Sequence, residues 1–199
     1  MLAFLKGMAI GASLIIAIGA QNMHVLRMGL LRQHLLLTAV VCAGCDMLLI
    51  TLGISGLGLL ITAHEKLLLA IRYAGAAFLF YYGYRALRRA RLTSQLTVSA
   101  SSQDYTTRGA LVMALAVSLL NPHVFLDTVL LIGAVGAQEQ GWHRAAFGAG
   151  AATASWLWFF ALAYGAKYLI PLFSKPRAWQ ILDVVIAVMV FSLGLGLIL

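Results

Sequence analysis

Two aspartates sit inside long apolar runs of this sequence. Asp46 lies in Cys42-Ala43-Gly44-Cys45-Asp46-Met47-Leu48, and Asp127 follows Pro122 by five residues. A carboxylate near the middle of a bilayer is disfavoured by at least about 2.5 kcal/mol, so it normally faces a protein interior or a watery path. His123 and Asp127 are spaced i, i+4 and share one helix face. Such groups suit a cation site and proton exchange. The plainer alternative is structural pairing, of Asp46 with Arg27 or a hydroxyl and of Asp127 with His123. The remaining acids, Glu65, Asp104, Glu139 and Asp183, fall near loops or span ends and are expected to be solvated.

The second group of candidates is a repeated motif. Asn22-Met23-His24-Val25-Leu26 precedes Asn121-Pro122-His123-Val124-Phe125 by 99 residues, with the shared pattern N-x-H-V-apolar. Asn is a favoured helix N-cap and Pro is favoured at the first helical position. Asn121-Pro122 therefore reads as a helix start within an apolar segment, about 13 residues or about 20 Å from its beginning. The preceding helix must end there and free its carbonyls, and the following one presents free N–H groups and a positive dipole end. Gln21-Asn22, preceded by the flexible Gly19, can do the same in the first half. Backbone breaks at membrane depth belong beside a polar cavity. An ordinary proline kink, satisfied by neighbouring helices, is the competing explanation.

The elements that must hold these residues are membrane helices. Hydrophobic residues make up 62% of the 199-residue chain and charged residues 10%, which leaves too little polar surface to cover a soluble core. A span needs about 20 apolar residues. The runs read as 7–31, 36–62, 67–87, 109–137, 145–170 and 179–199, which predicts an all-α integral membrane protein of about six spans. The expected organisation is a first three-span repeat over 1–90, a basic linker over 91–108 and a second three-span repeat over 109–199. Each half has an odd number of spans, so the second copy would be inserted upside down, a common plan for secondary transporters. Ala17 to Ala20 faintly resembles a signal-peptide cleavage site, but the residues beyond it recur later in the chain and argue against cleavage.

Charge sets the expected orientation. The net charge is +8, and the basic residues cluster between the apolar runs, which points to topology rather than nucleic acid. The connections after runs one, three and five carry Arg27, Arg32, Arg85, Arg88, Arg89, Arg91, Arg108, Lys167, Lys175 and Arg177, against Lys6, Lys66, Arg72 and Arg144 on the other side. That places the Arg-rich linker in the cytoplasm and both termini outside. Five spans with a cytoplasmic N-terminus would satisfy the linker equally.

Other features are weaker. Cys42 and Cys45 form a C-x-x-C in an apolar helix and read as packing residues, with neither a disulfide framework nor a metal site expected. Trp156 or Trp158 is a candidate to line a cavity. Gly7-x-x-x-Gly11 and Gly148-Ala149-Gly150-Ala151-Ala152 permit close helix approach, within the chain or in a homo-oligomer. The sequence has no Walker A loop, no H-E-x-x-H and no credible Ser/His/Asp arrangement, so neither an enzyme nor a primary pump is indicated, and no cofactor is expected.

The stretch Gly19-Ala20-Gln21-Asn22-Met23-His24-Val25-Leu26-Arg27-Met28-Gly29-Leu30 resembles the first signature of the lysine exporter (LysE-type) superfamily. Asn121-Pro122-His123-Val124-Phe125-Leu126-Asp127-Thr128-Val129-Leu130-Leu131-Ile132-Gly133 resembles its second. Gly-Ala-Gln-Asn is similar to the branch exporting basic amino acids, whereas the homoserine/threonine and leucine branches usually carry a Pro-Gly-Pro-type sequence there. Met23-His24 departs from the Phe-containing version of the first motif. The resemblance implies a multi-pass transporter of the bacterial inner membrane whose cargo is L-arginine, with L-lysine or canavanine as alternatives, and in which Asp46 and Asp127 matter for transport. A basic amino acid needs one anion-binding element and one anionic element. The helix start at Asn121, with that at Asn22, is the candidate for its carboxylate, and Asp46 and Asp127 for its cationic groups. Gln21, Asn22 and Asn121 could add hydrogen bonds. Export of a cation against an inside-negative potential is opposed by about 2.3 kcal/mol per 100 mV, which favours proton antiport. The rivals are a neutral amino-acid exporter of the same superfamily and a non-transporting membrane scaffold.

Overall fold

The structure is a computed structural model and describes residues 1–17, 19–56, 65–93 and 105–198. Most of the linker, 94–104 with Asp104, and the end of the second run, 57–62, lie outside the described residues. Among those described there is no strand. The helices are α1 (Leu2–Ile15), α2 (Ala20–Leu31), α3 (Leu35–Ile54), α4 (Glu65–Thr93) and α5 (Thr107–Leu119). Then come α6 (122–137), α7 (Trp142–Gly165), its 3-10 extension Ala166–Ser174, and α8 (Pro176–Ile198).

Among the described residues, three helical stretches are long and apolar enough to cross a bilayer: Leu35–Ile54, Trp142–Ser174 and Pro176–Ile198. The first apolar run is divided, with α1 and α2 meeting at 80°. The fourth is divided as well. α5 ends at Leu119 and α6 starts at Pro122, with Asn121 between them. Thr106 caps α5 by accepting a hydrogen bond from Gly109 N at 3.1 Å. α6 is not uniform: residues Phe125–Ile132 follow a π-helical pattern. Thr128 Oγ1 donates to Val124 O at 2.6 Å, and such bonding to the carbonyl four residues back competes with regular helix.

Two of the apolar clusters among the described residues frame α2. One gathers Ile50 of α3, Ala114 of α5, Ile132 of α6, and Phe147 and Phe159 of α7. The other gathers Leu79 and Tyr82 of α4 with Leu182, Ile186 and Val190 of α8. α2 runs between them. Val25 packs into the first, and Ala20, Met23 and Leu30 pack into the second. Ten of its twelve residues are buried, among them Gln21, Asn22, His24 and Arg27. It is therefore a polar helix enclosed by apolar neighbours.

The small residues serve packing within the chain. A methyl group at Gly7 would run into the Phe147 carbonyl, and one at Gly150 into the Phe4 carbonyl, so α1 and α7 touch backbone to backbone. α3 and α6 meet in the same way: a Cβ on Gly53 would lie 2.8 Å from Val129 O.

One expectation about charge is overturned. Asp183 is not solvated; it is 1% exposed, and Arg27 Nη1 and Arg89 Nε reach its Oδ1 at 2.5 and 3.1 Å. Asp183 falls near the start of the sixth run, and α4 and α2 fold over that end. Arg27 accordingly pairs with Asp183 and not with Asp46. Glu139 is partly exposed and pairs with Lys6 at 2.7 Å.

Candidate transport site

The two breaks face one cleft. It encloses about 360 Å³, its open mouth included, and its lining includes Gly19, Gln21, Asn22, Asp46, Asn121, His123 and Asp127. Residues 99 positions apart in sequence thus meet at one place. Pro122 is the first residue of α6, next to Asn121 in the lining.

Asp46, 1% exposed, is held from two sides. Gln21 Nε2 donates to its Oδ1 at 3.1 Å, and Ser155 Oγ of α7 donates to its Oδ2 at 2.8 Å. Gln21 Nε2 also lies 3.1 Å from Ser118 Oγ, which spends its own hydrogen on Ala114 O at 2.8 Å. The two hydrogens of the Gln21 amide therefore go to Asp46 and to α5. Four helices, α2, α3, α5 and α7, are joined through one carboxylate and its neighbours.

Asp127 is more open. Its side chain is 17% exposed, and its Oδ2 lies 3.5 Å from His123 Nε2, an ion-pair distance when the imidazole is protonated. The i, i+4 spacing thus acts as the sequence suggests. His123 is 41% exposed and stands at the cleft.

The two asparagines serve their breaks. Asn22 Nδ2 donates to Ile15 O at 2.8 Å and to Ala17 O at 2.6 Å, the carbonyls released where α1 ends. Its Oδ1 accepts from Trp158 Nε1 at 3.1 Å. Both amide hydrogens are therefore committed to the backbone. Asn121 Oδ1 accepts from His123 N at 3.2 Å, and Val124 N donates to Asn121 O at 3.1 Å. The first N–H groups of α6 are accordingly taken. At α2 the N-cap is Gly19, which makes no side-chain capping bond. Its backbone is extended, at φ −145° and ψ 173°, so its flexibility is not what the break requires.

Ser118, Ser155 and the indole of Trp158 are the members that sequence reasoning did not single out for this site, Trp158 having been only a cavity-lining candidate. Ser155 and Trp158 lie in an apolar stretch with no local motif. The one available signal was a hydroxyl amid alanines in Ala152-Thr153-Ala154-Ser155-Trp156. Cys42 and Cys45 are free thiols in the buried face of α3, and no group of three or more metal-ligating side chains occurs among the described residues.

Comparison with known proteins places this architecture. The family described as LysE type translocator matches residues 12–199. The arginine exporter protein ArgO of Pectobacterium carotovorum subsp. carotovorum (strain PC1) is 38% identical over 194 residues, 98% of this chain and 95% of that one. The arginine exporter protein ArgO of Serratia proteamaculans (strain 568) is 39% identical over 195 residues, 98% and 95%. The YggA protein of Aeromonas salmonicida, named as a candidate amino-acid transporter, is 39% identical over 193 residues, 97% and 94%. No solved structure matches the chain. A chain whose described elements are helices, several of membrane length, with a cleft lined by polar side chains at two helix breaks and a family match over almost its whole length, is a multi-pass membrane transporter and not an enzyme, and it belongs to the LysE type translocator family.

Proposed function

We propose that this protein exports basic amino acids, L-arginine foremost, from the cytoplasm across the bacterial inner membrane by exchange for protons. The observation that carries the reading is the meeting of Asp46 and Asp127 with both helix breaks in one cleft. The names of the ArgO relatives support the choice of arginine. The basic ends of α2 and α4 face the cytoplasm on this reading, in keeping with the excess of Lys and Arg there. The chain comprises two inverted three-span repeats, each opening with a broken helix.

The parts divide the work as follows. The start of α2, which no side chain caps, takes the carboxylate of the cargo through backbone N–H groups and the positive helix end. Asp127, the more open carboxylate, takes a cationic group, with His123 as its alternative partner. Asp46, held by Gln21 and Ser155, joins the helices that must shift together and accepts a proton when the cargo has left. Asn22 and Asn121 keep the broken backbone satisfied. An aspartate that holds either cargo or proton couples the two by competition. One proton in for one monocation out is electroneutral, so the potential does not oppose it.

A neutral amino-acid exporter is the second reading. It is favoured by one observation: both oxygens of Asp46 already accept hydrogen bonds from the protein. Labelled-arginine flux from proteoliposomes under an imposed pH gradient decides between them. Saturable arginine flux, accelerated by the gradient and inhibited by lysine but not by leucine or threonine, is the expected result. Leucine or threonine flux instead would move the protein to the neutral reading, and no amino-acid flux from inserted protein would point to a scaffold or an unrelated substrate.

A further inference from the structure

A second buried charge cluster lies further along α2, about 1.7 turns from Gln21. Arg27 follows Gln21 by six residues, about 9 Å along the helix axis. Its Nη1 meets Asp183 Oδ1 of α8 at 2.5 Å, and Arg89 Nε of α4 meets the same oxygen at 3.1 Å. Trp179 of α8 covers the Arg27 guanidinium, 5.6 Å from its carbon to the ring centroid. A carboxylate backed by an aromatic face is a guanidinium-binding arrangement, and here it holds two guanidinium groups of the protein itself. The cluster is not fully satisfied. Arg27 Nε, His24 Nε2 and Tyr82 Oη are buried there without hydrogen-bond partners.

α2 links this cluster to the cleft as one short rod. It starts at the 80° bend, and it ends at Arg32, whose φ is +54°; His34, at φ +49°, then precedes α3. Left-handed backbone at two non-glycine residues marks strained connections. With Gln21 near the start of the rod and Arg27 two-thirds of the way along it, movement of α2 would open both together. One guanidinium replacing another on Asp183 leaves its bonding nearly unchanged, so a guanidinium cargo could release Arg27 where an uncharged one could not.

We propose that Asp183, backed by Trp179, is a guanidinium-binding subsite on the cytoplasmic approach to the cleft, closed in this conformation by Arg27 acting as a tethered mimic of the cargo. This rests on the reading of the protein as an exporter of basic amino acids. Displacement of Arg27 by incoming arginine frees α2, and Asp183 thereby selects cargo before Asp46 and Asp127 are reached.

The chain has two cysteines, and Cys42 lies behind Gln21, its carbonyl oxygen 3.4 Å from Gln21 Nε2. In a Cys45→Ala background, Cys42 reports opening at this end. The experiment is labelling by a membrane-impermeant maleimide at the cytoplasmic face of inside-out vesicles, with arginine or leucine added. Arginine is expected to speed labelling about fivefold or more, the lower end of typical coupling between sites, and leucine to leave it unchanged. Arg27→Gln is expected to label at the raised rate without arginine. Labelling of Arg27→Gln at the parent rate, or equal effects of arginine and leucine, would overturn the proposal. Should Arg27→Gln fail to insert, Arg27→Lys carries the same test, since it keeps the charge and loses the planar fork; a parent rate there counts equally against the proposal. Arginine flux by the unaltered protein tests the transport reading separately. Flux with unchanged labelling of the Arg27 variant defeats this proposal alone.

Discussion

Gln21 and Asp46, on consecutive helices, meet at 3.1 Å, and through that bond the start of α2 is fixed to the middle of α3. Gln21 lies two residues from the Gly19 N-cap, so the position of the α1–α2 break and the orientation of the buried carboxylate depend on each other. A transporter that reads its cargo at the break and its proton at the carboxylate needs such a link.

Replacing either carboxylate should stop transport without removing the protein. Asp46→Asn keeps an oxygen acceptor and Asp127→Asn keeps the volume, so insertion and abundance should be near those of the parent. Loss of a charge-assisted hydrogen bond corresponds to about 1.5–3 kcal/mol, so arginine export should fall at least about tenfold. Flux and membrane abundance measured together check this, and normal export by both variants would remove the carboxylates from the mechanism.

Ser155 should act through Asp46. Ser155→Ala leaves Asp46 Oδ2 without its 2.8 Å donor and is expected to weaken transport, with a stability loss of about 1–3 kcal/mol. Ser155→Thr retains the hydroxyl and should recover most of the transport. The pH profile of arginine flux is the discriminating readout: it should shift in Ser155→Ala and return in Ser155→Thr, whereas a purely packing role predicts no shift.

The indole of Trp158 should hold the break. Trp158→Phe keeps a ring but removes the donor to Asn22 Oδ1, so the amide that satisfies Ile15 O and Ala17 O is less firmly oriented. A stability loss of about 1 kcal/mol is expected, with faster hydrogen exchange around residues 15–22. Exchange protection there equal to that of the parent would show that Asn22 needs no support from α7.

Backbone contact between helices predicts a folding effect of similar size. Gly7→Ala places a methyl group against the Phe147 carbonyl, and the backbones must separate. Overpacking of this kind typically destabilises by about 1–3 kcal/mol, so detergent-solubilised protein should lose thermal stability and abundance. Lys6→Ala, at the adjacent position, removes only a partly exposed ion pair with Glu139, worth about 0–1 kcal/mol, and should leave thermal stability close to that of the parent.

How much was legible beforehand depended on how local the signal is. The order of residues alone specified the helical membrane class, because 62% apolar residues in long runs admit few other solutions. It determined the break at Asn121-Pro122, because capping and proline chemistry act on adjacent residues. It also marked Asp46 and Asp127, because a charge in an apolar run is conspicuous without any coordinates. Which partners those groups have depends on how helices distant in the chain pack together. Ser155 is 109 residues from Asp46, and Asp183 is 156 from Arg27. Nothing in the local pattern around Asp183 separates an acid at a solvated span end from one enclosed by α2, α4 and α8. Burial and ion pairing are set by which helices pack together, and that depends on small-residue contacts such as Gly7 with Phe147, where complementary surfaces rather than neighbouring residues hold the information.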